Sequence, residues 1–125
     1  MRAKKDEVPV SFDSGAVYSR SVQWGDMNVA FEGLPAGFDS APYFKGLPDD
    51  SCQCPHWGYL FKGRLRVIYA DHEEVISAGE AYYIPPGHNG IVEEDIEVLE
   101  FSPLAEYMKT MEAVERNTAA MKSRK

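Results

Sequence analysis

The chain has 125 residues, a net charge of −7, and 44% apolar against 26% charged residues. That is enough for one domain with a core of its own, in the ordinary composition of a globular chain. The acidic balance speaks against nucleic acid as a partner, and no apolar run reaches the roughly 20 residues needed to span a bilayer.

The N-terminus, MRAKKDEVPVSF, is basic but has no apolar stretch of the kind a secretory signal carries, which points to the cytoplasm. Its basic residues (Arg2, Lys4, Lys5) and those at the other end (Lys122, Arg124, Lys125) read as solvated tails. The only two cysteines are spaced C-x-C, too close for ordinary disulfide geometry. They are left as packing residues, metal ligands or redox-active thiols.

Residues 1–15 have no clear period and read as an arm, with a short edge strand near residues 8–12. Residues 17–24 and 27–34 alternate around Gly25-Asp26, as a β-hairpin does. Residues 34–50 contain Pro35, Gly37 and Pro42 beside Phe38, Tyr43 and Phe44. This pattern predicts a packed loop, either a wall or lid of a pocket or a plain crossover. Short β-like runs follow at 56–61, 64–70, 73–78, 81–84, 90–93 and 96–102. Lys62-Gly63, Asp71-His72, Gly79-Glu80, Pro85-Pro86-Gly87 and Glu94-Asp95 are the expected turns between them. Such spacing predicts an all-β sandwich or barrel and argues against βαβ units.

The period then changes. Ser102-Pro103 reads as N-cap and first helical residue, before an amphipathic helix of about four turns. Its apolar stripe is Leu104, Tyr107, Met108, Met111, Val114 and Met121, placed to cover one mouth or face of the barrel, or a dimer partner. The organisation expected is an arm (1–15), a barrel (16–102) and a C-terminal helix and tail (103–125).

Between Met27 and Ser102 the chain resembles the cupins, small double-stranded β-helix (jelly-roll) barrels. Gly79-EAYYI-Pro85-Pro86-Gly87 follows the opening of the second cupin motif, and Tyr59-Leu60-Phe61-Lys62-Gly63 follows the end of the first. In the second motif, Gly79 serves a tight turn, Pro85-Pro86 stiffens the strand exit and Gly87 takes a positive φ. The resemblance implies an all-β cupin barrel closed by a C-terminal amphipathic helix, and a homodimer. It also implies a metal site of H-x-H, glutamate and a further histidine, from which this chain departs. Counting back from Gly63 puts His56 at the glutamate position, with Cys52 and Asp50 at the two histidine positions. In the second motif Gly90 stands where the histidine belongs, and His88 directly follows Gly87.

The candidate metal ligands are therefore His56, His88, Cys54 and Cys52. Imidazoles and thiolates suit zinc better than iron. On an extended strand, Cα atoms four residues apart are separated by about 13 Å, too far for Cys52 and His56 to share an ion unless the chain bends near Pro55. That favours Cys54, His56 and His88, with a fourth position open. Equally, buried cysteines can be plain packing residues and the two histidines can line a metal-free pocket. His72, in a charged turn, reads as a surface residue. The aromatics Trp57, Tyr59, Tyr69 and Tyr83, with Phe61 and Tyr82, are candidates for the pocket wall and for contacts to a small-molecule ligand.

Three functions remain open. One is a small-molecule-binding cupin with a pocket of His56, His88 and aromatics, needing no cofactor. Another is a metal-dependent cupin enzyme of dioxygenase, isomerase or lyase type, with a divalent metal on Cys/His ligands. The third is a non-catalytic dimeric structural or interaction domain. A nucleophilic cysteine at Cys54 is a minor fourth, because no thiolate-stabilising cation is evident.

Overall fold

A computed structural model describes residues 1–123; Arg124 and Lys125, assigned above to a solvated tail, lie outside the described residues. Among the described residues there are seven strands, one long helix and three short 3₁₀ turns. The strands are β1 (Val10–Asp13), β2 (Tyr18–Trp24), β3 (Met27–Leu34), β4 (His56–Ile68), β5 (Glu73–Ser77), β6 (Ala81–Ile84) and β7 (Asn89–Pro103), followed by α1 (Leu104–Ser123). All pairings are antiparallel, in the order β1-β2-β3-β7-β4-β5, with β6 also on β4. The sheet fits a cupin β-barrel with a C-terminal helix.

The hairpin at Gly25-Asp26 forms as the alternation predicts, with Gly25 at φ 60° and Trp24 opposite Met27. Gly79 and Gly87 both take positive φ, at 89° and 92°. Two expected turns are not turns. Lys62-Gly63 lies inside β4 and Glu94-Asp95 inside β7, where the register between the two strands shifts three times. These are bulges that bend the paired strands without reversing them. Gly63, at φ 87°, has no room for a side chain: a Cβ would sit 2.1 Å from the Asp95 carbonyl oxygen.

The arm is not loose. Val8 is buried, Ser21 N–H donates to the Pro9 carbonyl at 3.0 Å, and Lys5 pairs with Glu97 at 3.2 Å over the Tyr18 ring. Lys5 is thus held on the sheet, against its reading as part of a solvated tail. The 34–50 segment packs along β7, with Gly37 N–H on Val92 O and Val92 N–H on Phe38 O. It carries 3₁₀ turns at Ala41–Tyr43 and Pro48–Asp50.

Cross-strand neighbours share a face, so register gives the interior directly. At one end Leu60, Val67, Ile76, Tyr82, Ile84, Val92, Ile96 and Val98 form the apolar core, with Leu34, Phe38, Leu65 and Tyr69 against it. At the other end the inward row runs Ser21, Ala30, Glu100, Gly58, Tyr82 across β2, β3, β7, β4 and β6.

Helix α1 covers this polar end, with Leu104, Tyr107, Met111, Val114 and Met121 of the expected stripe half-buried and Met108 turned outward. Thr110 and Ala113 are its buried residues, and Met108 is 55% exposed. Five turns and a half form where about four were expected, since a 20-residue helix has 3.6 residues per turn. Ser102 does not cap it, because Ser102 belongs to β7 and its hydroxyl meets His56. The helix is tied down at its start by Leu104 N–H on Asp26 O (2.8 Å) and further along by Asn117. The Asn117 side-chain amide donates to the Tyr43 and Lys45 carbonyls, both at 2.8 Å.

Candidate metal centre

Cys52 and His88 are brought side by side by backbone pairing. Cys52 N–H donates to His88 O at 2.8 Å, and the Cys52 carbonyl accepts from Gly87 N–H at 2.7 Å. The positive φ of Gly87 permits this close turn, and the sequence Pro85-Pro86-Gly87 supplies it. His56 is the first residue of β4, where it lies opposite Ile84.

Residues 52–55 are not a strand, so the 13 Å spacing that argued against Cys52 does not apply. The Cys52 Sγ–His56 Nε2 distance is 3.7 Å. Donor atoms of Cys52, His56 and His88 all lie within 4.8 Å of one another, and the two rings meet edge-on with centroids 5.1 Å apart. Bonds of about 2.3 Å to sulfur and 2.0–2.1 Å to nitrogen, at tetrahedral angles, set an S···N edge near ~3.6 Å. The observed 3.7 Å is within ordinary adjustment of that edge.

Cys54 is a correction to the expected trio. It is fully buried, but its sulfur faces the Pro55 carbonyl at 3.5 Å and it is not a member of the cluster. Burial, with the neighbouring Cys52, pushes its thiol up to about 12, so it remains protonated and unreactive. Asp50, at the position of the first histidine in the cupin motif, accepts a hydrogen bond from Gly46 N–H and is exposed.

Both imidazoles are neutral and oriented. Burial lowers His56 to about 4; burial and the proximity of His56 do the same to His88. His88 Nδ1 lies 2.8 Å from the Pro85 carbonyl, which can only accept, so the proton is on Nδ1 and the lone pair on Nε2. His56 Nδ1 lies 2.7 Å from Ser102 Oγ and 3.1 Å from Glu100 Oε1. Its Nε2 faces Cys52. Burial raises the Cys52 thiol, and the Thr110 hydroxyl stands 3.7 Å from its sulfur.

Behind His56 lies a group that the motif count missed. Tyr82 O–H donates to Glu100 Oε2 at 2.5 Å, reaching across Gly58, where a Cβ would come 2.5 Å from the Tyr82 ring. Glu32 is the second carboxyl here. Burial pushes both Glu32 and Glu100 up to about 7, and the Glu100 charge raises Glu32 further. The Tyr82 hydrogen bond works against that rise at Glu100. The parity of Glu100 with Ile96 and Val98 was the signal that could have found it.

The expected pocket aromatics mostly face away. Trp57, Tyr59 and Tyr83 are 44%, 40% and 50% exposed, as is Phe61 at 52%. They have the opposite parity to His56, Gly58 and Leu60 and form the outer face of β4 and β6, with Trp57 stacked on Tyr83 at 5.1 Å. Tyr69 packs at the edge of the apolar core and stacks on His72, whose side chain is 60% exposed. None of these offers a donor to the converging cluster; Tyr82, on the inward face, has its hydroxyl on Glu100.

No family model and no curated protein matches the chain by sequence. Solved structures match by fold. An RmlC-like cupin from Shewanella frigidimarina aligns at 14% identity over 81% of this chain and 88% of its own, with a TM-score of 0.55. The polyketide cyclase RemF from Streptomyces resistomycificus aligns at 15% over 83% and 79%, with a TM-score of 0.59. KdgF from Halomonas aligns at 18% over 80% and 92%, with a TM-score of 0.55. The chain has the fold of a small cupin domain, as its motifs suggested.

Proposed function

We propose that this is a small-molecule-binding cupin whose binding centre is a divalent metal held by Cys52 Sγ, His56 Nε2 and His88 Nε2. The observation that carries the reading is the convergence of three donor atoms within 4.8 Å, with His88 fixed in the tautomer that leaves Nε2 free. A packing role for the same residues would not call for a thiol and two imidazoles converging on one point. The donor set favours zinc over iron. Three protein ligands leave a fourth position for water or a small ligand, as in catalytic zinc sites. The metal would supply Lewis-acid polarisation of a bound oxygen. Around it, Thr110 would donate to the Cys52 sulfur, and α1 would keep bulk water out. A reduced thiol ligand suits a reducing compartment such as the cytoplasm.

Elemental analysis of protein purified without chelator tests this. About one equivalent of zinc is expected in the parent, with Cys52→Ser and His88→Ala each losing at least 100-fold in zinc affinity. Cys54→Ser should keep its metal. Metal-free parent protein that takes up neither zinc nor cobalt at micromolar concentration would overturn the reading.

A second reading concerns assembly and rests on the bare outer face. Trp57, Tyr59, Phe61 and Tyr83 form an apolar surface on one sheet. A homodimer through this face would bury it. Sedimentation velocity should give a dimer that Phe61→Glu converts to monomer; a monomeric parent rejects it.

A further inference from the structure

The polar end of the interior is not packed shut. Glu100 lies in the middle of the inner face, between Ala30 on β3 and Gly58 on β4, yet 17% of its side-chain surface is accessible, as is 13% of His56. Groups placed that deep keep accessible surface only where they line a hollow. β2 and β3 supply its far wall. Ser19 lies opposite Glu32, Ser21 opposite Ala30 and Gln23 opposite Asn28; across from these on β7 are Val98, Glu100 and Ser102. Directly opposed residues share a face, so this row looks inward, towards the same space as His56. The wall is graded: Asn28 is buried, Ser19, Ser21 and Glu32 are half-buried, and Gln23 is exposed. Tyr107 of α1 covers it, with Asn28 and Glu32 as neighbours.

One atom of this wall has no role in the fold. Ser19 Oγ is buried without a well-formed hydrogen bond among the described residues, although the Glu32 carboxyl is close enough to feel it. A hydroxyl left in that state costs free energy that an alanine would not. The chemistry of the wall is also selective. Hydroxyls and carboxamides both give and take hydrogen bonds, and a carboxyl group accepts them in either protonation state. Cations are missing. No lysine or arginine among the described residues is buried, and the half-buried ones are engaged elsewhere: Lys5 with Glu97, Arg20 with the Val8 carbonyl, Arg66 with Glu73 and Glu93. An anionic ligand would meet two carboxyls here and no basic side chain.

We infer that this wall recognises a neutral polyhydroxylated molecule, a polyol or sugar, whose hydroxyls bond Ser19, Ser21, Asn28 and Glu32 while one oxygen reaches the ion held by Cys52, His56 and His88. The last contact rests on the metal reading; the wall itself exists without any ion. Each ligand hydroxyl offers one donor and two acceptor sites, which matches a wall that mixes acceptor carboxyls with two-way hydroxyls and a carboxamide. A ligand hydroxyl at Ser19 would satisfy the one buried oxygen that the fold leaves without a partner.

The test is amide shift mapping on 15N-labelled protein, with and without added zinc. The probes are xylitol, sorbitol and glucose, with gluconate as their acid counterpart. At least one neutral probe should saturate, moving the Ser19, Ser21 and Glu32 amides, and should bind about tenfold or more tightly than gluconate. Ser19→Ala removes a hydroxyl that has no well-formed bond within the protein. It should bind the same probe about 2–10-fold more weakly without a lower melting temperature. The inference is overturned if no neutral probe saturates by about 100 mM. It is equally overturned if gluconate binds at least as tightly as the best neutral probe, or if Ser19→Ala keeps the parental affinity. If the protein takes up no zinc while a neutral probe saturates on these amides, the metal reading fails and the wall stands. If zinc binds and no neutral probe saturates, the wall falls and the metal reading stands.

Discussion

The two ends of the barrel interior are built on the same strands and to opposite rules. On β4, Leu60 and Val67 lie in the apolar end, both essentially inaccessible. Four residues before Leu60, the same strand offers His56, and between them Gly58 offers nothing. On β7, Ile96 and Val98 belong to the core, while Glu100 and Ser102 on the same face turn to His56. One end gains by removing apolar area from water; the other holds polar groups whose burial costs free energy unless each is partnered. Stability therefore resides mainly at the first end and chemistry at the second, so substitutions should separate them.

The largest effect expected is at the apolar end. Leu60→Ala leaves a cavity in a fully enclosed position and should cost about 2–5 kcal/mol in chemical denaturation. The surviving folded protein should still bind one equivalent of metal. A variant that melts like the parent would mean that this end is not the stabilising core. Gly58→Ala attacks the seam. Its Cβ would come within 2.5 Å of the Tyr82 ring and 2.7 Å of the Leu99 carbonyl oxygen, and the latter is backbone and cannot step aside. The expected cost is about 1–3 kcal/mol, with Tyr82 displaced from Glu100. An unchanged melting temperature would contradict this packing.

How much of this was legible beforehand follows the same division. Strands were readable because alternation and turn glycines are local: the hairpin at Gly25 and the turns at Gly79 and Gly87 needed no tertiary information. The bulges at Gly63 and Asp95 were read as turns because glycine with a positive φ serves both, and only the partner strand decides. Which cysteine joins the histidines was misread. An extended chain through 52–55 would separate Cys52 from His56, whereas Cys52 is pulled onto His88 by a pairing remote in sequence. The aromatics were assigned to a pocket by proximity, although Trp57, Tyr59 and Tyr83 have the outward parity. Glu100 escaped because a cupin-motif count looks for ligands and not for a buried carboxyl behind one of them.

At the polar end, pH separates Glu32 from the core. Burial raises its folded pKa from 4.5 to about 7. Between those values the folded protein keeps a proton that the unfolded chain has lost. Parental stability therefore falls as pH rises from about 4.5 to 7 and then levels off. Glu32→Gln removes that loss. It should match the parent near pH 4 and exceed it by on the order of 1–3 kcal/mol at pH 8. Urea titrations at the two pH values check this, and a gain larger at pH 4 than at pH 8 would reverse the sign and remove the buried-carboxyl account.

The smallest effect expected concerns the cover over the polar end. Helix α1 buries only Thr110 and Ala113 fully, neither of them large, so hydrogen bonds at its margins matter more than in a helix with a deep apolar stripe. Asn117 supplies two of them, to Tyr43 and Lys45. Both carbonyls can turn to water when the amide is lost, so Asn117→Ala should cost only about 1 kcal/mol globally. Its local consequence is easier to see. Thr110 lies two turns earlier, against the Cys52 sulfur, and a loosened helix exposes that thiol. In metal-free protein, alkylation of Cys52 should be several-fold faster in Asn117→Ala than in the parent, while Cys54, held behind Pro55, changes less. Equal rates at Cys52 would mean that α1 closes the site without help from the 34–50 loop.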